Sequence, residues 1–232
     1  MLFRSVVAAI DAVIEKGRRV AAHVLEAAEA DIAYRGGVFE IAGTDRHIAL
    51  FELADRARAL ARAGEIPEDL DTRCTADVPP SFPNGVHVAE VEIEPDTGRV
   101  NLAAYTAVDD CGRVLQPVLV EGQVQGGVAQ GVGQALLENV VYDSETGQLL
   151  SGSFLDYAMP RANDMPPIGT EFDQSLPTRF NKLGAKGVGE SGTHGAIPAV
   201  VNAVIDALAT YGVRHVDMPL TSEKLWRAIN ER

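Results

Sequence analysis

The residues of this chain that could do chemistry are concentrated in one glycine-rich segment. Residues 184–195 read GAKGVGESGTHG and lead into an apolar stretch with helical spacing. Glycines in such a segment expose successive backbone N–H groups, and the N-terminus of the following helix adds partial positive charge. Glu190 places a carboxylate in the middle. The segment is therefore suited to anchor a phosphate-bearing cofactor and to hold a base beside it.

Two other interpretations of this segment stay open on the residues alone. Its glycines match the G-x-G-x-x-G spacing of a dinucleotide-binding turn at Gly187, Gly189 and Gly192. The context argues against that turn, because residues 178–182 are polar where a buried strand is needed and Asp206 and Asp217 miss the expected acidic position. A glutamate just before a helix is also favourable for capping reasons alone. Glu190 could thus be a capping residue.

The elements around the segment can be read from the apolar spacing. In the N-terminal part we expect a helix over 5–31, a hairpin over 32–41 and a second helix over 50–63. Gly17 is expected to weaken or bend the first helix, and the glycines of 35–37 supply the positive φ of the hairpin turn. Thr44 or Asp45 is the expected N-cap of the second helix.

The C-terminal part mixes strands and helices. We expect a hairpin over 86–108, a helix over 117–142, a strand over 168–174, a helix over 197–211 and a helix over 222–229. Five glycines between 122 and 133 indicate close packing of the 117–142 helix or a ligand against its backbone, with close packing favoured. Trp226 is the expected core anchor of the last helix. Asp109, Asp110 and Cys111 are interpreted as turn formers.

Hairpins mixed with long helices, without regular alternation, predict an α+β fold. The proline-rich stretch 65–85 is the expected connection between a helix–hairpin–helix part, 1–64, and a C-terminal part, 86–232, that carries the glycine-rich segment. The histidines at 23, 47 and 87 are scattered and are interpreted as surface or packing residues.

Composition excludes several classes of protein. A formal net charge of −13 argues against a nucleic-acid partner, which needs clustered Lys and Arg. Cys74 and Cys111 form no Cys-x-x-Cys pair, so a zinc finger or an iron–sulphur cluster within the chain is not expected. No apolar run reaches the roughly 20 residues of a membrane span. Residues 1–5 lack the features of a secretory signal, and we expect a cytoplasmic protein.

Beyond these patterns, the chain resembles the large subunits of molybdenum hydroxylases, the xanthine dehydrogenase, aldehyde oxidase and aerobic carbon monoxide dehydrogenase family. Residues 184–195 resemble the cofactor-binding signature near the C-terminus of those subunits. Four further stretches match in the family's order: 21–32, 108–117 (VDDCGRVLQP), 121–138 and 154–161 (FLDYAMPR). The similarity extends over nearly the whole chain from about residue 10. Gln116 departs from the family, which has Asn at that position.

The resemblance implies a site and a set of partners. Glu190 would be the catalytic base, and Lys186, Gly187, Val188, Gly189 and Gln130 would bind the cofactor, with no protein ligand to the metal. The implied cofactor is a molybdopterin with molybdenum, in the cytosine dinucleotide form of bacterial members. Iron–sulphur and FAD centres would lie on an iron–sulphur subunit and a flavin subunit. The chain would then be a molybdenum-dependent oxidoreductase acting on a small molecule that the sequence does not specify.

Family large subunits are several times longer than this chain, and the resemblance puts another domain and half of the cofactor site before it. Only Arg4 and Ser5 are similar to the glycine- and serine-rich cofactor loop expected near the N-terminus. We therefore expect a truncated or split subunit that is inactive without the missing N-terminal part and the partner subunits. The alternative is a catalytically incomplete fragment or assembly module of such an enzyme.

Overall fold

The computed structural model describes residues 2–77 and 79–231, which divide into two compact units that meet in sequence between Pro79 and Pro80. This point lies within the stretch 65–85 that we interpreted as a connection. The division of the chain into three parts stays a prediction. Each unit is described by itself.

The first unit begins with helix α1, Leu2–Val24, which ends earlier than the predicted 31. Glu26 adopts positive φ (50°), and Ala27 N–H donates to Ala22 O at 3.0 Å, so a left-handed residue terminates the helix. Residues 29–31 form a separate 3₁₀ turn. Gly17 has a packing role that the sequence did not indicate, because a Cβ at this position would overlap the ring of buried Phe39.

A three-stranded antiparallel sheet follows, with β1 (Ile32–Arg35), β2 (Val38–Ile41) and β3 (His47–Ala49) in that order. The predicted hairpin is confirmed: Gly36 and Gly37 form its turn with φ of 56° and 88°. Strand β3 was not predicted.

Helix α2, Leu50–Ala63, has the predicted bounds. Its predicted N-cap is wrong, because Ala49 holds that position without a side-chain hydrogen bond. Thr44 instead closes the turn before β3 by donating to Ile41 O at 3.0 Å. Buried side chains from α1, the sheet and α2 form the core of this unit: Val20, Ala21, Leu25, Ile32, Phe39, Ile48, Leu53, Ala57, Ile66 and Leu70.

The second unit contains a sheet of three strands in the order β4 (Asn84–Glu94), β5 (Arg99–Asp110) and β6 (Ile168–Phe172). Strands β4 and β5 form the predicted hairpin, with Gly98 in its turn at φ 70°. Strand β6 confirms the predicted strand and pairs parallel to β5. The inner face of this sheet packs against helices.

The described part of the second unit also contains the α-helices α3 (Pro117–Leu136), α4 (Ser191–Leu208) and α5 (Ser222–Asn230), and 3₁₀ turns at 162–164 and 209–211. Helix α4 packs against both α3 and β4. Helix α3 ends six residues before the predicted 142, and α4 begins six residues before the predicted 197. The core consists of apolar residues from β5 and all three helices, among them Leu102, Val124, Val128, Val132, Val200, Val204, Leu208 and Leu225.

Close approach of α3 and α4 explains three of the glycines. A Cβ at Gly127 would lie 2.9 Å from Thr193 N, and one at Gly131 would lie 2.7 Å from the Cβ of Ala196. On the facing helix, a Cβ at Gly192 would lie 2.9 Å from Val128 N. Close packing, the favoured explanation for glycine in α3, is therefore confirmed at 127 and 131. It does not apply to 122 and 126, where a Cβ would meet no atom within 4 Å.

The anchor of helix α5 is Leu225, which is fully buried. Trp226 is 38% exposed, so its predicted role as core anchor is wrong. A short amphipathic helix buries one stripe of side chains, and Leu225 lies on that stripe.

The mixed helix and sheet content of the two units agrees with the predicted α+β fold class. Within residues 2–77 and 79–231, every helix is too short or too polar to cross a membrane.

Candidate functional site

A cavity of about 570 Å³ lies at the N-terminal end of α4 in the second unit. Three parts of the chain line it: the segment 82–87, the end of β5 at Asp109, and the glycine-rich loop with the first turn of α4, between 187 and 195. The structure thus brings the loop selected from the sequence to a concave surface.

Glu190 immediately precedes α4 and lines this cavity. Its backbone carbonyl accepts from His194 N–H at 3.0 Å, which is the first bond of the helix. Its side chain is exposed and makes no capping hydrogen bond. Capping by the carboxylate therefore does not explain Glu190, and the group is available to a ligand.

The loop is fixed at its start by bonds to the segment that follows β5. Lys186 N–H donates to Cys111 O at 2.7 Å, and Arg113 N–H donates to Gly184 O at 3.0 Å. The Lys186 ammonium, predicted to bind cofactor, forms an ion pair with the Asp110 carboxylate instead of lining the cavity. Asp110 is thus more than a turn former. Burial raises the pKa of the neighbouring Cys111 thiol.

The three residues between Lys186 and Glu190 divide into two kinds. Gly187 and Gly189 are exposed and line the cavity, and a Cβ at either position would meet no atom within 4 Å. Val188 is partly buried and packs against the core of the unit. The valine therefore fixes the loop while the two glycines present open backbone.

Gln130 does not line the cavity. It is exposed on α3, where its Oε1 lies 3.4 Å from Thr193 Oγ1. Gln123, two helical turns earlier, contacts the loop, because its side-chain amide donates to Gly189 O at 2.8 Å. Sequence reasoning missed Gln123, although the helical spacing from Gln130 is a signal that could have found it.

The floor of the cavity contains a polar cluster that was also missed. His87 and Asp109 line the cavity, and their side chains are only 4% and 3% exposed. Tyr105 O–H lies 2.8 Å from His87 Nδ1, and Asp109 Oδ2 lies 3.5 Å from His87 Nε2. Burial, and secondarily the charge of Asp109, raises the pKa of Tyr105.

Asp109 is therefore a buried cavity residue and not only a turn former, and His87 is more than a scattered packing residue. Asp109 Oδ2 has no hydrogen-bond partner among the described residues. Polar side chains at 105 and 109 flank Ala107, the register partner of His87, on one face of the hairpin. Polar residues at every second or fourth position of a strand lie on the same face. The polar side chains at 105 and 109 are therefore the signal by which the sequence could have indicated this cluster.

Comparison with known families decides the affiliation. The family model of the molybdopterin cofactor-binding domain matches residues 1–166. The chain belongs to this family. Among curated relatives, the subunit gamma of the 6-hydroxypseudooxynicotine dehydrogenase complex from Paenarthrobacter nicotinovorans is 36% identical over 93% of this molybdopterin-binding chain. The carbon monoxide dehydrogenase large chain from Hydrogenophaga pseudoflava is 35% identical over 93% of it.

Solved structures agree. A Cu,Mo-CO dehydrogenase superposes with a TM-score of 0.79 at 32% identity, covering 93% of this chain. Quinoline 2-oxidoreductase from Pseudomonas putida 86 gives a TM-score of 0.78 at 39% identity over 95%. The molybdopterin-binding chain spans only 27% of the length of both curated relatives and 27% and 28% of the two solved chains. Its fold and family affiliation follow from these matches.

Proposed function

We propose that this chain is the cofactor-binding portion of a cytoplasmic molybdenum hydroxylase, with Glu190 as its catalytic base. The complete enzyme would oxidise a small substrate at carbon with water as the oxygen source. Electrons would then pass to iron–sulphur and flavin subunits. One observation carries the proposal. The Glu190 carboxylate is exposed, makes no capping hydrogen bond at the N-terminus of α4, and lines a cavity beside the open backbone of Gly187 and Gly189.

The residues at this cavity fit part of a molybdopterin. Gly187 and Gly189 leave space where side chains would stand, so a flat ring system can approach their backbone. Among the described residues that line the cavity there is no Lys or Arg, and the Lys186 charge is already paired with Asp110. The cavity therefore suits a polar, uncharged part of the cofactor better than its phosphates. When bound, the cofactor supplies the redox-active molybdenum.

Glu190 can take a proton from the attacking oxygen nucleophile because its carboxylate is not used by the chain itself. Val188 and Gln123 hold the loop on which Glu190 stands, through core packing and through the bond to Gly189 O. The proposal includes the cytosine dinucleotide form of the cofactor. It also includes contacts of Lys186 and Gln130 with the cofactor in an assembled enzyme.

The surface of the second unit supports completion by further polypeptide. Residues 140–159 expose several large apolar side chains, including Phe154 at 81% and Leu155 at 90%. Exposed large apolar side chains in this number are typical of a surface that further protein covers. We assign it to the remainder of the large subunit, because the curated relatives are between three and four times as long as the part they share with this chain.

The test is reconstitution of the 232-residue chain with a segment that corresponds to the rest of a large subunit and with the iron–sulphur and flavin subunits. We expect co-purification, molybdenum by elemental analysis and turnover of a small carbon-oxidised substrate. Glu190→Gln should abolish turnover and leave molybdenum bound. Glu223→Gln, in an exposed pair with Arg227 on α5, is the matched control and should retain full turnover.

Two results would contradict the proposal. A complex that stays free of molybdenum when every partner is supplied would favour the alternative, a catalytically incomplete module. Turnover of the Glu190→Gln complex within a few-fold of the unaltered complex would exclude Glu190 as the base.

A further inference from the structure

The buried cluster of Tyr105, His87 and Asp109 has no role in the function proposed above, yet it lies directly beneath the first turn of α4. Tyr105 comes from the middle of β5 and Asp109 from its end, and His87 comes from β4. Antiparallel pairing places His87 opposite Ala107, between the other two side chains. Such a cluster inside a core needs a reason, because buried polar groups cost free energy unless they are satisfied.

The hydrogen bond to Tyr105 and the facing Asp109 carboxylate favour one tautomer of the His87 ring. Burial keeps the Tyr105 hydroxyl protonated, so it can donate to Nδ1 of His87 at 2.8 Å. In the neutral ring the proton then lies on Nε2, which faces Asp109 Oδ2 at 3.5 Å. Nδ1 is thereby hydrogen-bonded, and Nε2 faces the Asp109 carboxylate, both from the sheet side.

The ring also contacts α4. A Cβ at Gly195 would overlap ring atoms of His87, so the helix backbone rests directly on the imidazole. Gly195 lies one residue after His194, whose N–H closes the first helical bond to Glu190 O at 3.0 Å. Glu190 therefore lies one helical turn from the backbone that the ring contacts.

We propose that His87 is a positioning residue for Glu190, held in one tautomer by Tyr105 and Asp109 and supporting the backbone of α4 at Gly195. The consequence for catalysis rests on the proposed function, whereas the contact between ring and helix does not. His87 makes no bond to substrate or cofactor in this role. It fixes the depth at which the Glu190 carboxylate enters the cavity.

A double-mutant cycle on the full chain tests the contact. Gly195→Ala should lower the midpoint of thermal unfolding, since the new methyl group overlaps the ring. In the His87→Ala background the same change should raise the midpoint, because the methyl group enters the vacated space and alanine favours helix. Gly122→Ala, at a position with open space, is the control and should raise the midpoint in both backgrounds. Equal effects of Gly195→Ala in both backgrounds would overturn the contact.

Ring ¹⁵N spectra of the full chain test the tautomer. The His87 signals, assigned by their loss in His87→Gln, should show a single form with the proton on Nε2. Tyr105→Phe should give a mixture of both forms. His215, whose exposed ring pairs with exposed Asp217, provides an internal reference that should not change in Tyr105→Phe. A His87 ring protonated on Nδ1 would overturn the assignment.

Kinetics of the reconstituted complex connect the cluster to Glu190. We expect His87→Gln to lower kcat by about tenfold or more while KM changes less than about twofold, because misplacement of a base affects the chemical step more than binding. His215→Gln should leave both constants unchanged. If kcat and KM of His87→Gln equal those of the unaltered complex, the positioning role is wrong. If the proposed function is wrong and Glu190 is not the base, the result is different. Glu190→Gln then keeps full turnover, and the ¹⁵N spectra of the His87 ring still show the proton on Nε2.

Discussion

Lys186 and Asp110 form an ion pair that joins the glycine-rich loop to the end of strand β5. Their side chains are only 12% and 16% exposed. The preceding residue, Asp109, projects from the other face of the strand toward His87. Two consecutive aspartates therefore support the site from two directions: one fixes the loop before Glu190, and the other faces the floor of the cavity.

Removing the charge of Asp110 should destabilise the second unit and loosen the loop. Asp110→Asn leaves the Lys186 ammonium largely buried without its counter-ion, and we expect a loss of about 2 to 3 kcal/mol in the free energy of unfolding. Urea unfolding of the full chain measures it. The exposed pair on α5 serves as control, where Glu223→Gln should cost less than about 0.5 kcal/mol. Equal losses in the two variants would contradict a structural role for the Lys186 pair.

Much of the fold could be predicted because local signals agree with the final packing. The bounds of α2 were predicted from apolar spacing, and the structure shows Gly64 ending the helix at φ 76°. Both hairpins were found from glycines that adopt positive φ in their turns. The start of α4 was missed, since glycines at 192 and 195 disfavour a helix locally. Contacts with α3 and His87 require those glycines, and tertiary packing outweighed propensity.

Sequence reasoning selected the part of the cavity lining that is contiguous in the chain and missed the part whose residues are distant in sequence. The loop containing Glu190 is one continuous motif. Tyr105 and Asp109 are 18 and 22 residues from His87, and only the register of β4 and β5 brings the three side chains together. The ion pair of Lys186 with Asp110 was likewise not predicted, because the two residues are 76 positions apart and the loop motif does not reveal the partner.

Replacing glycines of α3 by alanine should change the free energy of unfolding in opposite directions, depending on which atoms face each glycine. Gly131→Ala would place a methyl group 2.7 Å from the Cβ of Ala196, and we expect a loss of about 1 to 3 kcal/mol. Gly122→Ala meets no atom within 4 Å and should stabilise the chain by up to about 1 kcal/mol through helix propensity. Urea unfolding of both variants measures the difference, and effects of the same sign would refute the close packing of α3 and α4.

The anchor of α5 can be identified by truncation. Leu225→Ala removes a fully buried side chain and should cost about 3 kcal/mol. Trp226→Ala removes a larger side chain that is 38% exposed, and we expect a smaller loss of about 2 kcal/mol because no closed cavity remains. Thermal unfolding ranks the two variants. A greater loss for Trp226→Ala would restore the tryptophan as the anchor.

The two thiols should differ strongly in reactivity. Cys74 is exposed, whereas Cys111 is buried and its pKa is raised mainly by that burial. A thiol-specific disulfide reagent at neutral pH should therefore modify one thiol per chain quickly and the second only on unfolding. Cys74→Ser should remove the fast phase, and Cys111→Ser should leave it intact. Two fast thiols in the native chain would contradict the burial of Cys111.

Alkaline pH should destabilise the second unit through Tyr105. Its pKa is raised in the folded chain from the ordinary 10.0, by burial first and by the charge of Asp109 second. Above about pH 10 the unfolded chain therefore loses this proton while the folded chain keeps it, and the free energy of unfolding falls by up to about 1.4 kcal/mol per pH unit. The stabilisation contributed by Tyr105 is complete below pH 10 and is lost as the pH rises.

Tyr105→Phe keeps the ring but lacks the titrating group, so its unfolding free energy should decline less steeply between pH 9.5 and about 11. Tyr142→Phe, at a tyrosine that is 61% exposed, should leave the slope unchanged. Parallel declines in the unaltered chain and Tyr105→Phe would show that the hydroxyl is not held in its protonated form beneath α4.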